Sequence, residues 1–250
     1  MTHGSPSASR SLFLLLLEIP ILACASKGPA PPSEFRNPSR EPRTLGSEGR
    51  ALTYVVMGDS TAAGRGGDYE KGIAISTARE LARTRRVTLV NLGISGARMR
   101  DVASEQREAA ERLRPDVVLI SAGSNDVTHL TSIRAMKANL RRLVDGLKAS
   151  NRSVAIVVTG SAEIGSPPRV PGLLRPIARW RTASVNRMFR KVARGRGLTF
   201  APIAEETGPL FARDHTLFAE DRFHPNDRGY ATWIPVLNRA LARALDRSAQ

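Results

Sequence analysis

Four short polar blocks stand at the ends of apolar runs or before a helical segment in this chain: Gly58-Asp59-Ser60, Asn91-Leu92-Gly93-Ile94-Ser95-Gly96, Gly123-Ser124-Asn125-Asp126 and Asp221-Arg222-Phe223-His224-Pro225. Together they hold the parts of an acyl-transfer site. A serine hydroxyl is a weak nucleophile until a neighbouring base takes its proton, and an imidazole serves as that base when a carboxylate orients it. Ser60, expected at a strand-to-helix turn with its hydroxyl exposed, supplies the hydroxyl, and His224 supplies the imidazole. Asp221, three residues earlier, supplies the carboxylate within one turn. The backbone N–H of Ser60, that of Gly96 with no side chain in the way, and the amide of Asn125 are three donors for a developing oxyanion. Each part alone has a plainer reading: Ser60 as a helix cap, Gly96 as a turn residue, Asn125 and Asp126 as caps, Asp221 and His224 as a surface pair. The joint order of the four blocks is far more specific than any one. Two other histidines compete with His224. His129 also has a carboxylate three residues earlier, Asp126, but it shares a loop that must already supply Asn125. His215 directly follows Asp214, and adjacent side chains do not readily face each other.

The elements that must position these blocks follow from the hydrophobic pattern. Leu52–Met57, Val87–Asn91, Asp116–Ser121, Val154–Thr159 and Leu198–Ala201 are short, mostly apolar runs, as expected of strands buried on both faces. Helical spacing predicts helices over Ile73–Arg83, Val102–Leu113, Ile133–Leu147, Trp180–Ala193 and Tyr230–Leu245. The alternation implies a parallel sheet with right-handed crossovers in one three-layer α/β domain over residues 51–250. Ligands of such sheets bind beyond the carboxyl ends of the strands, where the blocks fall. The loop Ser161–Arg175, rich in Pro and Gly, is expected to shape the pocket. A phosphate-binding loop is excluded: Ala63-Gly64-Arg65 stands where that motif needs Gly-Lys-Ser/Thr.

Composition is that of an ordinary globular protein, with 41% hydrophobic and 24% charged residues. The formal net charge is +15, which favours anionic surroundings. Cys24 is the single cysteine, so neither an intrachain disulfide nor a multi-cysteine zinc site is available. Residues 1–23 read as a signal peptide. A polar start with Arg10 leads into Leu12–Leu17, interrupted by Glu18 and Pro20, and then Ile21-Leu22-Ala23. That stretch is shorter than the roughly 20 residues a membrane-spanning helix needs. Ile21-Leu22-Ala23-Cys24 resembles a bacterial lipobox, which implies acylation at Cys24, export and anchoring to the cell membrane; plain secretion is the alternative. Residues 24–50, with five prolines and no apolar periodicity, read as a solvated linker.

The four blocks resemble those of the SGNH/GDSL hydrolase family, over about Leu52 to Leu245. The resemblance implies a flavodoxin-like three-layer α/β/α sandwich whose five-stranded parallel sheet has the order 2-1-3-4-5. It implies serine esterase chemistry with no metal and no organic cofactor. Ser60 is then the nucleophile, His224 the base and Asp221 its orienter, with Ser60, Gly96 and Asn125 as oxyanion donors. The substrate is a small-molecule, lipid or glycan ester. The sequence departs from the family pattern at Thr61, where many members have Leu, and at Arg222, where Gly often follows the aspartate. A second class of function rests on Arg169–Arg196, which carries nine cations and no acid, with Trp180 and Phe189 interleaved. This is the composition of a module that binds anionic polymers or the cell envelope, with a vestigial hydrolase site. Nucleic acid is not expected as the ligand of an exported protein. Turnover of a simple ester separates the two classes.

Overall fold

The computed structural model describes residues 35–248. Cys24 and the predicted signal peptide lie outside the described residues.

Six strands form one sheet: β1 (Arg43–Leu45), β2 (Arg50–Gly58), β3 (Arg85–Asn91), β4 (Val117–Ser121), β5 (Ala155–Val158) and β6 (Thr199–Phe200), in the order β1-β3-β2-β4-β5-β6. All neighbours are parallel except β1, which pairs antiparallel with β3 in the register Arg43↔Leu89. The five strands expected from sequence therefore take the expected order, and β1 is an addition at one edge. It lies inside the segment read as a linker, so that reading fails for Arg43–Leu45: a three-residue strand offers no periodicity, and its place is set by pairing with a distant strand.

Side chains alternate across the sheet and feed two cores. Val55, Met57, Val118, Ile120, Ile156 and Val158 point to one face. Leu52, Tyr54, Val56, Val117, Leu119 and Val157 point to the other. The first face is covered by α2 (residues 99–113), α4 (Ile133–Ser150) and α5 (Arg175–Arg196). Here α2 denotes the helical stretch that opens with Met99–Asp101, passes a π-helical turn at Val102–Gln106 and ends with Arg107–Leu113. A five-residue helix, α3 (Ser124–Thr128), precedes α4. The second face is covered by α1 (Ile73–Leu81), α6 (Ile203–Arg213) and α7 (Asp227–Ser248). Burial of every β4 residue explains its unbroken apolar run.

The chain leaves β2 for β3 on one side and returns to β4 on the other. That reversal opens a crevice at the carboxyl ends of β2 and β4, the general ligand position in such sheets. No helix among the described residues is long and apolar enough to cross a membrane.

Candidate active site

Strand β2 ends in Gly58, whose φ is +141°. A Cβ there would lie 1.8 Å from the Ser121 carbonyl oxygen, so only glycine lets the two strand ends approach this closely. The chain then turns tightly: Asp59 N–H donates to the Ser121 carbonyl at 2.9 Å and Arg65 N–H to the Ser60 carbonyl at 2.9 Å. No helix follows directly, in contrast to the expected strand-to-helix turn. Ser60 is also less open than expected, at 6% exposure, and its hydroxyl faces a pocket.

His224 reaches Ser60 across 164 positions of sequence. Its Nε2 lies 2.8 Å from Ser60 Oγ, and its Nδ1 lies 2.5 Å from Asp221 Oδ2. The other Asp221 oxygen accepts the backbone N–H groups of Phe223 and His224, each at 3.0 Å. Burial raises the Asp221 carboxyl, but the bonds and charge from His224 and the two N–H groups outweigh it and hold it well below the usual carboxylate range. The Phe223 and His224 rings pack edge to face, 5.3 Å between centroids. The rival histidines are elsewhere: His129 is exposed, with Nδ1 2.8 Å from the Asn125 carbonyl, and His215 is exposed on a 3-10 turn.

The turn between Asp221 and His224 explains the departure at Arg222. This residue has φ +57°, the left-handed region that glycine occupies freely. Arginine holds it because both its backbone groups are bonded, N–H to the Ala219 carbonyl at 2.8 Å and C=O from Arg169 N–H at 3.1 Å.

Of the three expected oxyanion donors, Ser60 and Gly96 lie on turns after β2 and β3, and Asn125 lies in α3, which follows β4. The N–H of Ser60 and that of Gly96 have no acceptor among the described residues. Gly96 sits at φ +87° in an exposed turn. The Asn125 amide donates one hydrogen to the Ala97 carbonyl at 3.0 Å, which ties the turn after β3 to α3 and leaves its second hydrogen unspent.

Sequence reasoning missed the residues that hold this turn in place. Asp59, 1% exposed, accepts the N–H of Thr61 at 2.9 Å and its hydroxyl at 2.8 Å. That hydroxyl also meets Ser121 Oγ at 2.7 Å, which gives the Thr61 departure a structural role. Burial lifts the Asp59 carboxyl to about 6 despite the two bonds from Thr61. Gln106, in the π-helical turn, clamps the end of β2: its Oε1 accepts Gly58 N–H and its Nε2 donates to Gly58 C=O, both at 2.8 Å. No local spacing signals these contacts.

Beside Ser60 and His224 lies a narrow apolar pocket of about 30 Å³, with walls from Ile164, Phe211, Phe218, Phe223 and Trp233. Ile164 belongs to the loop expected to shape it. On the basic segment the two aromatic residues part company: Phe189 is fully buried and Trp180 exposed.

Residues 56–232 match the GDSL-like Lipase/Acylhydrolase family. A GDSL-like esterase of Mycobacterium tuberculosis is 29% identical over 197 residues, 76% of this chain and 62% of the relative, so the chain spans under two thirds of that protein's length. An acetylxylan esterase of Geobacillus stearothermophilus is 27% identical over 171 residues, 64% of this chain and 72% of the relative. Among solved structures, a psychrotrophic esterase of Pseudoalteromonas sp. shares the fold with a TM-score of 0.59 at 20% identity, covering 78% of this chain and 99% of that one. With that match over most of its sheet and all four polar blocks, the chain belongs to the GDSL-like lipase/acylhydrolase family.

Proposed function

We propose that the protein is a serine hydrolase of carboxylic esters. The observation that carries this reading is the chain of two short hydrogen bonds from Ser60 Oγ through His224 to a buried carboxylate. Ser60 Oγ attacks the ester carbonyl while His224 Nε2 takes its proton, and Asp221 holds the imidazolium through Nδ1–H. The carbonyl oxygen, now an oxyanion, is met by the N–H groups of Ser60 and Gly96 and the free hydrogen of the Asn125 amide. The C–O bond to the alcohol breaks as His224 returns the proton to it. Water then hydrolyses the acyl-Ser60 ester by the same steps.

The pocket walled by Phe218, Phe223 and Trp233 is apolar, so it suits the acyl group rather than a sugar. The small space between its walls favours a short acyl chain, and the likeness to an acetylxylan esterase supports an acetyl ester as substrate. Nitrophenyl esters of rising chain length test this, with acetate expected to give the highest kcat/KM. Ser60→Ala is expected to abolish turnover and labelling by a fluorophosphonate while the unfolding free energy from urea titration stays within about 0.5 kcal/mol of wild type. Retained turnover in Ser60→Ala sinks the assignment.

We also propose that the chain is exported and acylated at Cys24. The support is the short apolar run, the small residue before the cysteine and the absence of any second thiol. Mass spectrometry of the amino-terminal peptide tests it; an unmodified Cys24 leaves plain secretion.

A further inference from the structure

We infer that the outer face of α5 docks on an anionic phospholipid surface and that its amino-terminal end holds the active-site rim against it. The observation is one strip of helix. Ile177, Trp180, Ser184, Arg187, Lys191 and Arg194 recur at steps of three and four residues, which places them along a single face. The first part of that strip is apolar and open: Ile177 is 49% exposed and Trp180 67%. Leu173, in the 3-10 turn Gly172–Leu174 that leads into α5, is 93% exposed. Large apolar side chains so exposed and so close together mark an interaction surface.

The second part of the strip identifies the partner. Arg187, Lys191 and Arg194 are exposed and have no ion pair among the described residues. Cations facing sideways on the same helix are neutralised: Arg190 by Glu205 at 2.5 Å, and Arg196 by Asp145. No acid occurs between Glu163 and Glu205 to balance the outer face. An apolar patch with an interfacial tryptophan, continued by unpaired cations, complements a bilayer of anionic lipid: aromatic and aliphatic groups enter the headgroup boundary while the cations meet phosphate.

The strip also has the right place. Helix α5 follows β5, so it starts at the carboxyl edge of the sheet, where Ser60 and His224 lie. The segment leading into it is bonded to the site turn through Arg169 N–H and the Arg222 carbonyl. Arg181 donates to the Thr131 carbonyl, which brings the turn of Leu130, also exposed, to the same end. Docking would thus set the pocket mouth at the lipid surface. None of the six strip residues, nor Leu173, belongs to the proposed catalytic machinery.

The test is independent of turnover. The full chain carrying Cys24→Ser, so that no acyl group contributes, is mixed with vesicles of phosphatidylcholine alone or with phosphatidylglycerol. Trp233 is 3% exposed but lines the pocket, so the part of the emission change that Trp180→Phe removes is read as that of Trp180. On anionic vesicles the emission is expected to shift to the blue and to be quenched by brominated acyl chains. Lys191→Gln is expected to lower partitioning about fivefold. Leu173→Ser with Ile177→Ser is expected to abolish the shift while hydrolysis of a soluble ester is unchanged. Unmoved Trp180 emission on anionic vesicles overturns the inference. So does an emission shift that survives Leu173→Ser with Ile177→Ser, or one that dextran sulfate reproduces, which assigns the face to anionic polymers.

Discussion

Asp59 sits one residue before the proposed nucleophile, and its chemistry is set by burial. Its carboxyl, raised from 3.8 to about 6, keeps a proton in the folded state that the unfolded chain has already released across that range. Because the folded state binds the extra proton, stability falls as pH rises from about 4 to 6, by roughly 3 kcal/mol in all. Asp221 acts in the opposite sense and in another window. Its lowered carboxyl stabilises the fold above the ordinary carboxylate pKa, and that contribution is lost only as pH drops below about 4. Asp59→Asn keeps the acceptor for both Thr61 donors and removes the titrating proton. The variant is therefore expected to show a shallower decline between pH 4 and 6, the remainder coming from Asp126 and Glu163, whose carboxyls burial also raises. Urea unfolding at several pH values checks it; a slope equal to wild type would assign the decline to another group. None of this was legible in the sequence, where Asp59 appears only as the middle of Gly-Asp-Ser.

At the scale of elements, side-chain amides finish the strands that carry the site. Gln106 clamps the end of β2, Asn91 bonds the Ala62 carbonyl and Gly93 N–H at the end of β3, and Asn186 holds both Ser161 N–H and C=O after β5. Each stands in for a neighbouring strand where the sheet stops, so the loops bearing Ser60, Gly96 and the pocket wall leave their strands at fixed angles. Gln106→Ala would leave Gly58 N–H buried without an acceptor, while Gly58 C=O keeps the N–H of Ile94 at 3.1 Å. One orphaned donor and a small cavity cost about 2–3 kcal/mol, measurable by urea unfolding. An unchanged midpoint would show that the turn is held without the clamp. The five parallel strands and the four blocks were legible because each is a short local pattern. The clamp was not, since 48 positions separate Gln106 from Gly58. Helix α6 was missed for a different reason: Gly208-Pro209 reads as a break, yet Ile203, Thr207 and Phe211 recur every four residues and bury one face.

The whole molecule extends past the domain edge that composition suggests, and the extension touches the site. Strand β1 covers the open edge of β3, and Arg43 forms a two-pronged ion pair with Glu70 at 2.5 and 3.0 Å. Further upstream, Asn37 Oδ1 accepts the N–H of Ser95 at 2.8 Å, and the Arg65 guanidinium lies 5.6 Å from the centre of the Phe35 ring while bonding Ser95 Oγ at 3.0 Å. Ser95 precedes Gly96, so residues 35–45 brace the turn whose N–H is proposed to meet the oxyanion. Two effects follow from removing them, and they separate. Loss of β1 exposes an unpaired edge and an ion pair that is worth little alone, a stability cost of about 1–2 kcal/mol. Loss of the Asn37 bond frees the Gly96 turn, which lowers kcat with little change in KM if the donor acts on the transition state. A fragment of residues 35–250 is therefore expected to match the full chain in both respects, and a fragment of 51–250 to fall short in both. Asn37→Ala in the full chain is expected to lower kcat while leaving the urea midpoint nearly unmoved. If the 51–250 fragment keeps full turnover and the full midpoint, residues 35–50 are a tether and nothing more.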